Sequence, residues 1–365
     1  MDKLETARAQ ISEIDRKMAQ LFELRMQAAQ LVAEHKKEHG LPILDTSREQ
    51  ALLERNAAYI QDGTIREYYV QYLKGMFRLS RDYQRRLCSG MRVAYSGVEG
   101  AFSHISAKRI FPGSEHVAHK DFRSAYDAVT DGACDCAVLP IENSYNGEVG
   151  EVLDLMFFGP LHVNGVYELD ITQNLVGLPG ADVAQIRQVV SHPQALGQCQ
   201  GYLHDHGWPA VEYANTAMAA EHVARLGDPT VAAIASIDTA ELYGLEVLEA
   251  NINESSQNTT RFAVLSRAEN PALGKRMGDH FILLFTARNE AGSLAKALDI
   301  LGNRYGYNMS VLRSRPVKEL LWQYYFYLEA EGDIHGAKGQ AMLRELESCC
   351  DHIKVAGTYS SHCKI

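Results

Sequence analysis

The sequence predicts a multidomain protein with an all-α domain of three helices, a two-lobed α/β domain and a ferredoxin-like βαββαβ domain, in that order. Three observations support this prediction. An apolar stripe without glycine or proline runs through residues 4–36. After residue 90, short β-rich runs alternate with helical ones. The last part of the chain has the order strand, helix, strand, strand, helix, strand.

Composition limits the partners that we expect. The chain has 365 residues, of which 46% are hydrophobic and 22% charged, and its net charge of −10 argues against a nucleic-acid surface. No apolar run approaches the length of a membrane span. The seven cysteines have no framework spacing, and Cys134 and Cys136 lack a second pair, which favours structural thiols in a cytoplasmic protein. We expect no metal, no other cofactor, no nucleic acid and no membrane.

Residues 1–90 are predicted to form the helical domain. The first helix covers 4–36 and ends at Gly40 and Pro42. A second helix begins after Asp45 or Ser47 as N-cap and ends near Gly63, and a third follows to about residue 87. The first helix is much longer than its neighbours and overhangs them. We therefore expect an intertwined homodimer or a dimer of dimers.

Arg25 interrupts the apolar stripe of the first helix. One interpretation is that its side chain reaches solvent from the edge of the stripe. The other is that the stripe opens around an anion held by Arg25 and by Lys36, three turns further on. Further polar residues interrupt the helical domain in the same way: Arg8, Asp45, Arg48, Glu49, Ser80 and Gln84. Such a set suits a small dianion with a hydroxyl, and it contains no obvious nucleophile.

This polar set resembles that of the all-helical chorismate mutases, over about residues 1–88. The resemblance implies rearrangement of chorismate to prephenate. It implies that Arg8, Arg25 and Arg48 bind the two carboxylates, that Lys36 and Gln84 donate to the breaking ether oxygen, that Asp45 and Glu49 hold the ring hydroxyl, and that Ser80 supports a carboxylate. Arg8 lies about 25 Å from Arg25 along one helix, so it is expected to serve the pocket of a partner chain.

Residues 91–268 are predicted to form an α/β domain with two lobes and a largely parallel sheet. The predicted strands cover 92–95, 136–139, 175–178, 188–190, 231–235 and 261–265. Four polar clusters follow or enter these strands: 97–104, 140–144, 191–194 with Gln198, and 258–262. Each cluster alone also fits an ordinary turn or helix cap, but the four together favour a binding site in a cleft.

These clusters resemble prephenate dehydratase, whose Thr-Arg-Phe signature matches Thr260-Arg261-Phe262. The resemblance implies loss of carbon dioxide and the ring hydroxyl from prephenate, giving phenylpyruvate. It assigns the catalytic role to Thr260 and polar support to Asn143, Ser191 and Gln198. Arg261 is a candidate carboxylate contact unless strand alternation turns it away from Thr260. Val98 stands where the family usually has proline.

Residues 279–360 form the predicted βαββαβ segment, which resembles the ACT regulatory domain. Gly292-Ser293-Leu294-Ala295 is similar to its Gly-Ala-Leu-Val motif. Arg313-Ser314-Arg315-Pro316 is similar to its Glu-Ser-Arg-Pro motif, with arginine in place of glutamate, and Asn308 precedes it. The resemblance implies inhibition by phenylalanine bound near Gly292, Ser293, Leu294, Asn308, Ser314, Arg315 and Pro316. Alternatively, Gly292 only starts a helix and Pro316 only ends a strand.

The order of the three domains is that of the bifunctional chorismate mutase/prephenate dehydratases. The leading hypothesis is therefore a bifunctional enzyme of phenylalanine biosynthesis, with chorismate and prephenate as substrates and phenylalanine as effector. The alternative is a non-catalytic small-molecule sensor whose helical segment serves only for dimerisation.

Overall fold

The computed structural model describes residues 2–254, 257–269, 279–317, 324–360 and 363–365. The chain divides into two compact units, Met1–Met91 and Arg92–Ile365. Within the described ranges, every helix is too short or too polar to cross a bilayer.

The first unit consists of the three predicted helices: α1 Lys3–Glu38, α2 Thr46–Ala57 and α3 Gly63–Ser89. Asp45 is the N-cap of α2, since its side chain accepts a hydrogen bond from the amide of Arg48. The buried apolar residues of this unit lie where α1 faces α3, at Ala29, Ala33, Leu73 and Phe77. The N-terminal half of α1 keeps its apolar stripe in solvent, with four large residues more than half exposed: Leu4, Ile11, Ile14 and Leu21.

The second unit contains two sheets and nine α-helices in the described residues. The strands are β1 Arg92–Ser96, β2 Glu115–His119, β3 Cys136–Asn143, β4 Gly147–Glu148, β5 His162–Asp170, β6 Asn174–Gly177, β7 Gln188–Ser191, β8 Ala210–Glu212, β9 Val231–Ala235, β10 Glu246–Glu249, β11 Thr259–Ser266, β12 Asp279–Ala287, β13 Asn308–Pro316, β14 Tyr324–Glu331 and β15 Cys350–Ser360. The helices are α4 Phe102–Ile110, α5 Phe122–Thr130, α6 Gly150–Phe158, α7 Pro193–Gln198, α8 Gln200–His206, α9 Thr216–Leu226, α10 Ile237–Tyr243, α11 Ser293–Asp299, which continues as a π-helical turn Ile300–Arg304, and α12 Ala337–Leu346.

The two lobes of the α/β region are built on mixed sheets, so the prediction of a largely parallel sheet is wrong. In the first lobe β1 is parallel to β2 and β3, but β11 is antiparallel to both β3 and β5. The second lobe has the order β10-β6-β9-β7-β8 and is mixed in the same way. The chain leaves the first lobe after Asp170 and returns at Thr259, its register partner. The chain leaves β5 and enters β11 at the same end of these two neighbouring strands. β5 and β11 therefore run antiparallel.

The C-terminal part has the predicted βαββαβ order and the antiparallel strand order β13-β14-β12-β15. The strand predicted over 321–329 begins outside the described residues and is described from Tyr324, and most of the linker predicted over 267–279 also lies outside them. One face of this sheet packs on α11 and α12. The other face shares a core with the first lobe. β15 continues the sheet to β5, where Gly357 lies against the backbone of Val163 with no room for a side chain.

Candidate active sites

The first unit contains a cavity of about 230 Å³, here called the helical cavity, lined by side chains from all three helices. Seven of the eight predicted polar residues line it: Arg25, Lys36, Asp45, Arg48, Glu49, Ser80 and Gln84. Arg8 does not, because it lies on the exposed half of α1, about 25 Å from Arg25. Helical periodicity brings the seven together, since residues three or four apart share a face.

Two side chains of the helical cavity carry buried polar atoms without a partner among the described residues. These atoms are Nη1 of Arg25 and Oε1 of Gln84. The guanidinium of Arg25 lies 5.8 Å from the ring centroid of Phe77 rather than in solvent. Because an unsatisfied buried polar group costs about 1–3 kcal/mol, such groups indicate a ligand that would pair with them. The structure thus favours the anion-binding interpretation of Arg25.

The loop before α2 closes one side of the helical cavity. Lys36 donates from Nζ to the carbonyl of Ile43, with an N–O distance of 2.5 Å. Asp45 accepts from the amide of Arg48 at 3.0 Å and from the hydroxyl of Ser47 at 3.1 Å. These two hydrogen bonds hold the pKa of Asp45 below its usual range. Asp45 is therefore an ionised acceptor at neutral pH.

Arg81 is a lining residue of the helical cavity that the sequence interpretation missed. Its Nη1 lies 2.5 Å from each carboxylate oxygen of Glu49. A sequence signal was available, because Arg81 precedes Gln84 by three positions and so shares its face of α3. The resemblance to the helical mutases assigns no role to this position.

The two lobes of the second unit enclose a cavity of about 1030 Å³, here called the interlobe cavity. Each of the four predicted polar clusters contributes to its lining: Gly97, Val98 and Ser103; Pro140 and Asn143; His192, Gln194 and Gln198; and Thr260. β1, β3 and β7 end at this cleft and β11 begins there, so the cavity lies at strand termini, as ligand sites do in α/β folds.

A chain of amide hydrogen bonds joins the two lobes at the interlobe cavity. Asn143 donates from Nδ2 to Oγ1 of Thr260 at 3.0 Å and to Oδ1 of Asn258 at 2.8 Å. Gln198 of the second lobe accepts at Oε1 from Asn258 at 3.0 Å and from Gln173 at 3.1 Å. The amide oxygen of Asn143 in turn accepts the amides of residues 145 and 146, which fixes its orientation.

Two predicted contacts of the interlobe cavity lie elsewhere. Arg261 points to the opposite face of β11 from Thr260, where it pairs with Glu329 at 2.8 Å. Alternation of side chains along a strand requires this once Thr260 faces the cavity. Ser191 is fully buried outside the cavity lining, and its hydroxyl donates to the carbonyl of Ile234 at 2.6 Å. Its hydroxyl therefore supports the end of β7.

The cationic group of the interlobe cavity was also missed from sequence. Lys120 is the one lysine or arginine among its described lining residues, and its side chain is 84% exposed. It follows β2, a strand with too few apolar residues to be predicted. Helix α4 begins at this cavity, and its first turn has no side-chain cap in the part of the chain that the structure describes. Uncapped amides at a helix N-terminus favour an anion.

Comparison with known proteins gives the same division of the chain. The family model for chorismate mutase type II matches residues 7–85, and the model for prephenate dehydratase matches residues 93–270. The bifunctional chorismate mutase/prephenate dehydratase of Enterobacter agglomerans is 32% identical over 372 residues, which cover 97% of this chain and 95% of that protein. The chain belongs to the bifunctional chorismate mutase/prephenate dehydratase family. Membership favours the bifunctional enzyme over the non-catalytic sensor.

Two solved structures resemble the second unit of this family member. The prephenate dehydratase from Arthrobacter aurescens in complex with L-Phe has a TM-score of 0.67 and 26% identity, and the match covers 74% of this chain and 89% of that one. GqqA, described as a novel type of quorum quenching acylase, has a TM-score of 0.68 and 31% identity over 74% of this chain and 98% of that one.

His192 of the interlobe cavity is a neutral side chain at neutral pH. Burial lowers the pKa of its imidazole, and nearby Glu212 offsets this only in part. Its Nδ1 accepts the amide of Gln194 at 3.2 Å and so caps α7. His192 therefore adds hydrogen-bonding capacity to the cavity but no charge.

The predicted effector residues fall on two faces of the C-terminal sheet. Gly292, with φ of +87°, begins α11, and Ser293 and Leu294 follow on the helix side. Ser314 pairs in register with Phe326, which packs on the helix side, so Ser314 shares that face. Arg315 lies on the opposite face, against Asp154 at 3.0 Å. Pro316 ends β13, and at its start Asn308 donates to Glu331 at 3.0 Å.

Proposed function

We propose that the helical cavity binds chorismate and rearranges it to prephenate. The observation that carries this proposal is the buried Nη1 of Arg25, which has no hydrogen-bond partner among the described residues. Arg25 and Arg48 offer bidentate carboxylate contacts, with Ser80 beside them. Lys36 and Gln84 donate to the ether oxygen, on which charge develops as the bond breaks. The remaining acceptors, Asp45 and Glu49, take the ring hydroxyl.

Arg81 completes this arrangement as a positioning residue. Its contact with both oxygens of Glu49 fixes the carboxylate in one orientation. A pericyclic rearrangement depends on holding one substrate conformer, so a fixed hydroxyl acceptor contributes directly to the rate.

The helical unit works as a two-fold dimer in this proposal. The bare apolar stripe at Leu4, Ile11, Ile14 and Leu21 supports such a pairing, since large contiguous apolar surfaces mark protein interfaces. An antiparallel arrangement of two α1 helices would bring Arg8 of one chain to the cavity of the other. The arginine then supplies a third contact to the substrate carboxylates.

The interlobe cavity converts prephenate to phenylpyruvate, carbon dioxide and water. As the ring carboxylate leaves as carbon dioxide, its electrons aromatise the ring and the ring hydroxyl departs, for which it needs a proton. Oγ1 of Thr260 accepts a hydrogen bond from Asn143, so its own hydrogen is available to the leaving hydroxyl. Lys120 and the uncapped start of α4 offer contacts for the two carboxylates.

The C-terminal segment serves as an ACT regulatory domain that senses phenylalanine. Its βαββαβ topology supports this role, as does the L-Phe bound by the Arthrobacter aurescens relative. The domains are then mutase 1–90, dehydratase 91–268 and regulatory 279–360. A cytoplasmic location is supported by the free thiols of all seven cysteines.

Incubation of the purified chain with chorismate tests the whole proposal. Prephenate should appear first and phenylpyruvate second, and phenylalanine should slow only the second step. Accumulation of prephenate without phenylpyruvate would contradict the role of the interlobe cavity. Unchanged chorismate would contradict the role of the helical cavity.

A further inference from the structure

Arg313 of β13 points away from the helix side of the C-terminal sheet and toward the dehydratase lobe. It pairs in register with Tyr327, whose face of the sheet packs on that lobe. Its Nη2 contacts a carboxylate oxygen of Glu142, and its Nη1 lies 3.6 Å from Glu148. The guanidinium is about three-quarters buried, with 24% of the side chain exposed. The similar regulatory motif has glutamate at this position. A glutamate could not form these ion pairs with Glu142 and Glu148, so the contact depends on the arginine of this chain.

Glu142 lies next to Asn143 on β3, and the pair has matching partners on β11. Register pairs Asn143 with Thr260 and Glu142 with Arg261. On the cavity face Asn143 donates to Thr260, and on the opposite face Arg261 donates to Glu142 at 3.1 Å. Successive side chains of a strand point to opposite faces of the sheet, so Glu142 and Asn143 are joined by a single peptide bond although they face opposite sides. A shift of Glu142 therefore also displaces Asn143.

Arg313 also lies between two carboxylates that would otherwise repel each other. Glu142 and Glu148 are direct register partners in the antiparallel pair β3–β4. Like charges directly opposite in a sheet are destabilising. Arg313 contacts both, and Arg315 adds a second contact to Glu148 at 2.6 Å. Glu148 itself lines the interlobe cavity.

The start of α6 leaves space for this arrangement. Gly150 lines the interlobe cavity, and a Cβ at this position would collide with the guanidinium of Arg315. Two residues of the cavity wall over 147–151 therefore contact the arginines of β13: Glu148 pairs with Arg313 and Arg315, and Gly150 leaves space for Arg315. That strand carries Ser314 of the predicted effector motif on its other face.

We propose that Arg313 is a positioning residue of the dehydratase site. It neutralises Glu142 and Glu148, holds the β3–β4 pair closed, and so keeps Asn143 in hydrogen-bonding contact with Thr260. The inference rests on the proposed roles of Asn143 and Thr260. It makes dehydratase turnover depend on the strand that also carries the effector motif.

Steady-state kinetics of Arg313→Glu in the full chain, with prephenate as substrate, test this role. We expect kcat to fall about 10–100-fold while KM changes less than about threefold, because a displaced Asn143 impairs the reacting geometry more than binding. Mutase turnover of the same sample should stay unchanged. The dehydratase kcat of Arg313→Lys should lie between those of wild type and Arg313→Glu, since lysine keeps the charge but loses the planar pair of donors.

Arg304→Glu is the matched control, because Arg304 also has two carboxylate partners, Asp299 at 2.9 Å and Glu345 at 2.6 Å, on the helix side of the same sheet. It should keep the wild-type kcat. An unchanged kcat in Arg313→Glu overturns the proposal. An equal fall in kcat for Arg304→Glu also overturns it, and so does a fall in kcat that only follows the folded fraction measured by circular dichroism. Thr260→Ala is assayed alongside. If it stays active, the role of Thr260 fails, whereas an inactive Thr260→Ala beside a fully active Arg313→Glu removes only the role of Arg313.

Discussion

Arg25 on α1 and Gln84 on α3 face one cavity with buried polar atoms, Nη1 and Oε1, that have no hydrogen-bond partner among the described residues. The apolar core beside them is made by Ala29, Ala33, Leu73 and Phe77. Folding therefore leaves two groups unsatisfied that a polar substrate would satisfy.

Replacement of Gln84 by alanine should lower mutase kcat by about 100-fold or more, because a donor to the developing charge is lost. The dehydratase should be unaffected, since Gln84 lies in the first unit. Separate assays with chorismate and with prephenate measure the two steps. Equal loss of both activities would contradict two independent sites.

Thr260→Ala should abolish phenylpyruvate formation and leave the mutase intact. Thr260→Ser keeps a hydroxyl within reach of Asn143 and should retain a substantial part of the activity. The measurement is phenylpyruvate formed from prephenate, with chorismate consumption as internal control. A fully active alanine variant would remove the Thr260 hydroxyl from the reaction.

Arg81→Met should raise the mutase KM and lower kcat, each by about tenfold, because Glu49 loses the group that orients it. Arg78→Met on the exposed side of α3 is the matched control and should behave as wild type. Initial rates over a range of chorismate concentrations separate the two constants. Identical kinetics for both variants would show that Arg81 has no part in substrate positioning.

A mixture of two inactive variants tests the role of Arg8. In a dimer of one Arg8→Ala chain and one Gln84→Ala chain, one cavity would have both residues intact and the other neither, if Arg8 serves the partner's cavity. Refolding the variants together should therefore restore about half of the mutase activity in the mixed dimer. Each variant refolded alone is the control. Lack of recovery despite mixed dimers on native mass spectrometry would place Arg8 outside the partner's site.

The ion pair of Arg261 and Glu329 should make stability depend on acid pH. Burial alone raises the pKa of Glu329, but Arg261 and the hydroxyls of Tyr327 and Tyr359 outweigh it and hold the pKa below 4.5. A carboxyl with a lowered pKa in the folded state stabilises the protein above its unfolded pKa, and this contribution is lost as pH falls. The free energy of unfolding should therefore drop below about pH 4.5.

Glu329→Gln should be less stable than wild type at neutral pH, because it leaves Arg261 without its principal charged partner, and its loss of stability in acid should be smaller. Glu331→Gln, on the same strand with a half-exposed side chain, is the control. Urea unfolding of the three proteins at pH 7 and in acid gives the comparison. An acid dependence of Glu329→Gln equal to that of wild type would contradict the lowered pKa of Glu329.

Much of the helical unit can be predicted from the periodicity of apolar and polar residues alone. The extents of α1 and α3, the N-cap of α2 at Asp45 and the shared face of the polar residues follow from spacing within single helices. The end of α2 does not, because this helix ends at Ala57 and not near Gly63 as predicted. Arg81 obeys the same spacing but was not predicted, because the resemblance to the helical mutases gives its position no role. Lys120 was not predicted because it follows β2, a strand without a clear alternation of apolar and polar residues.

The sequence by itself predicted the three domains, the family and the polar clusters that line both cavities, because these depend on local patterns along the chain. Tertiary structure decided which face of each strand meets a cavity. Alternation predicts that Thr260 and Arg261 point in opposite directions, but only the tertiary structure shows that Arg261 faces Glu329. Likewise, Arg313 and Glu142 are 171 residues apart in the chain, and no local pattern pairs charges over that separation.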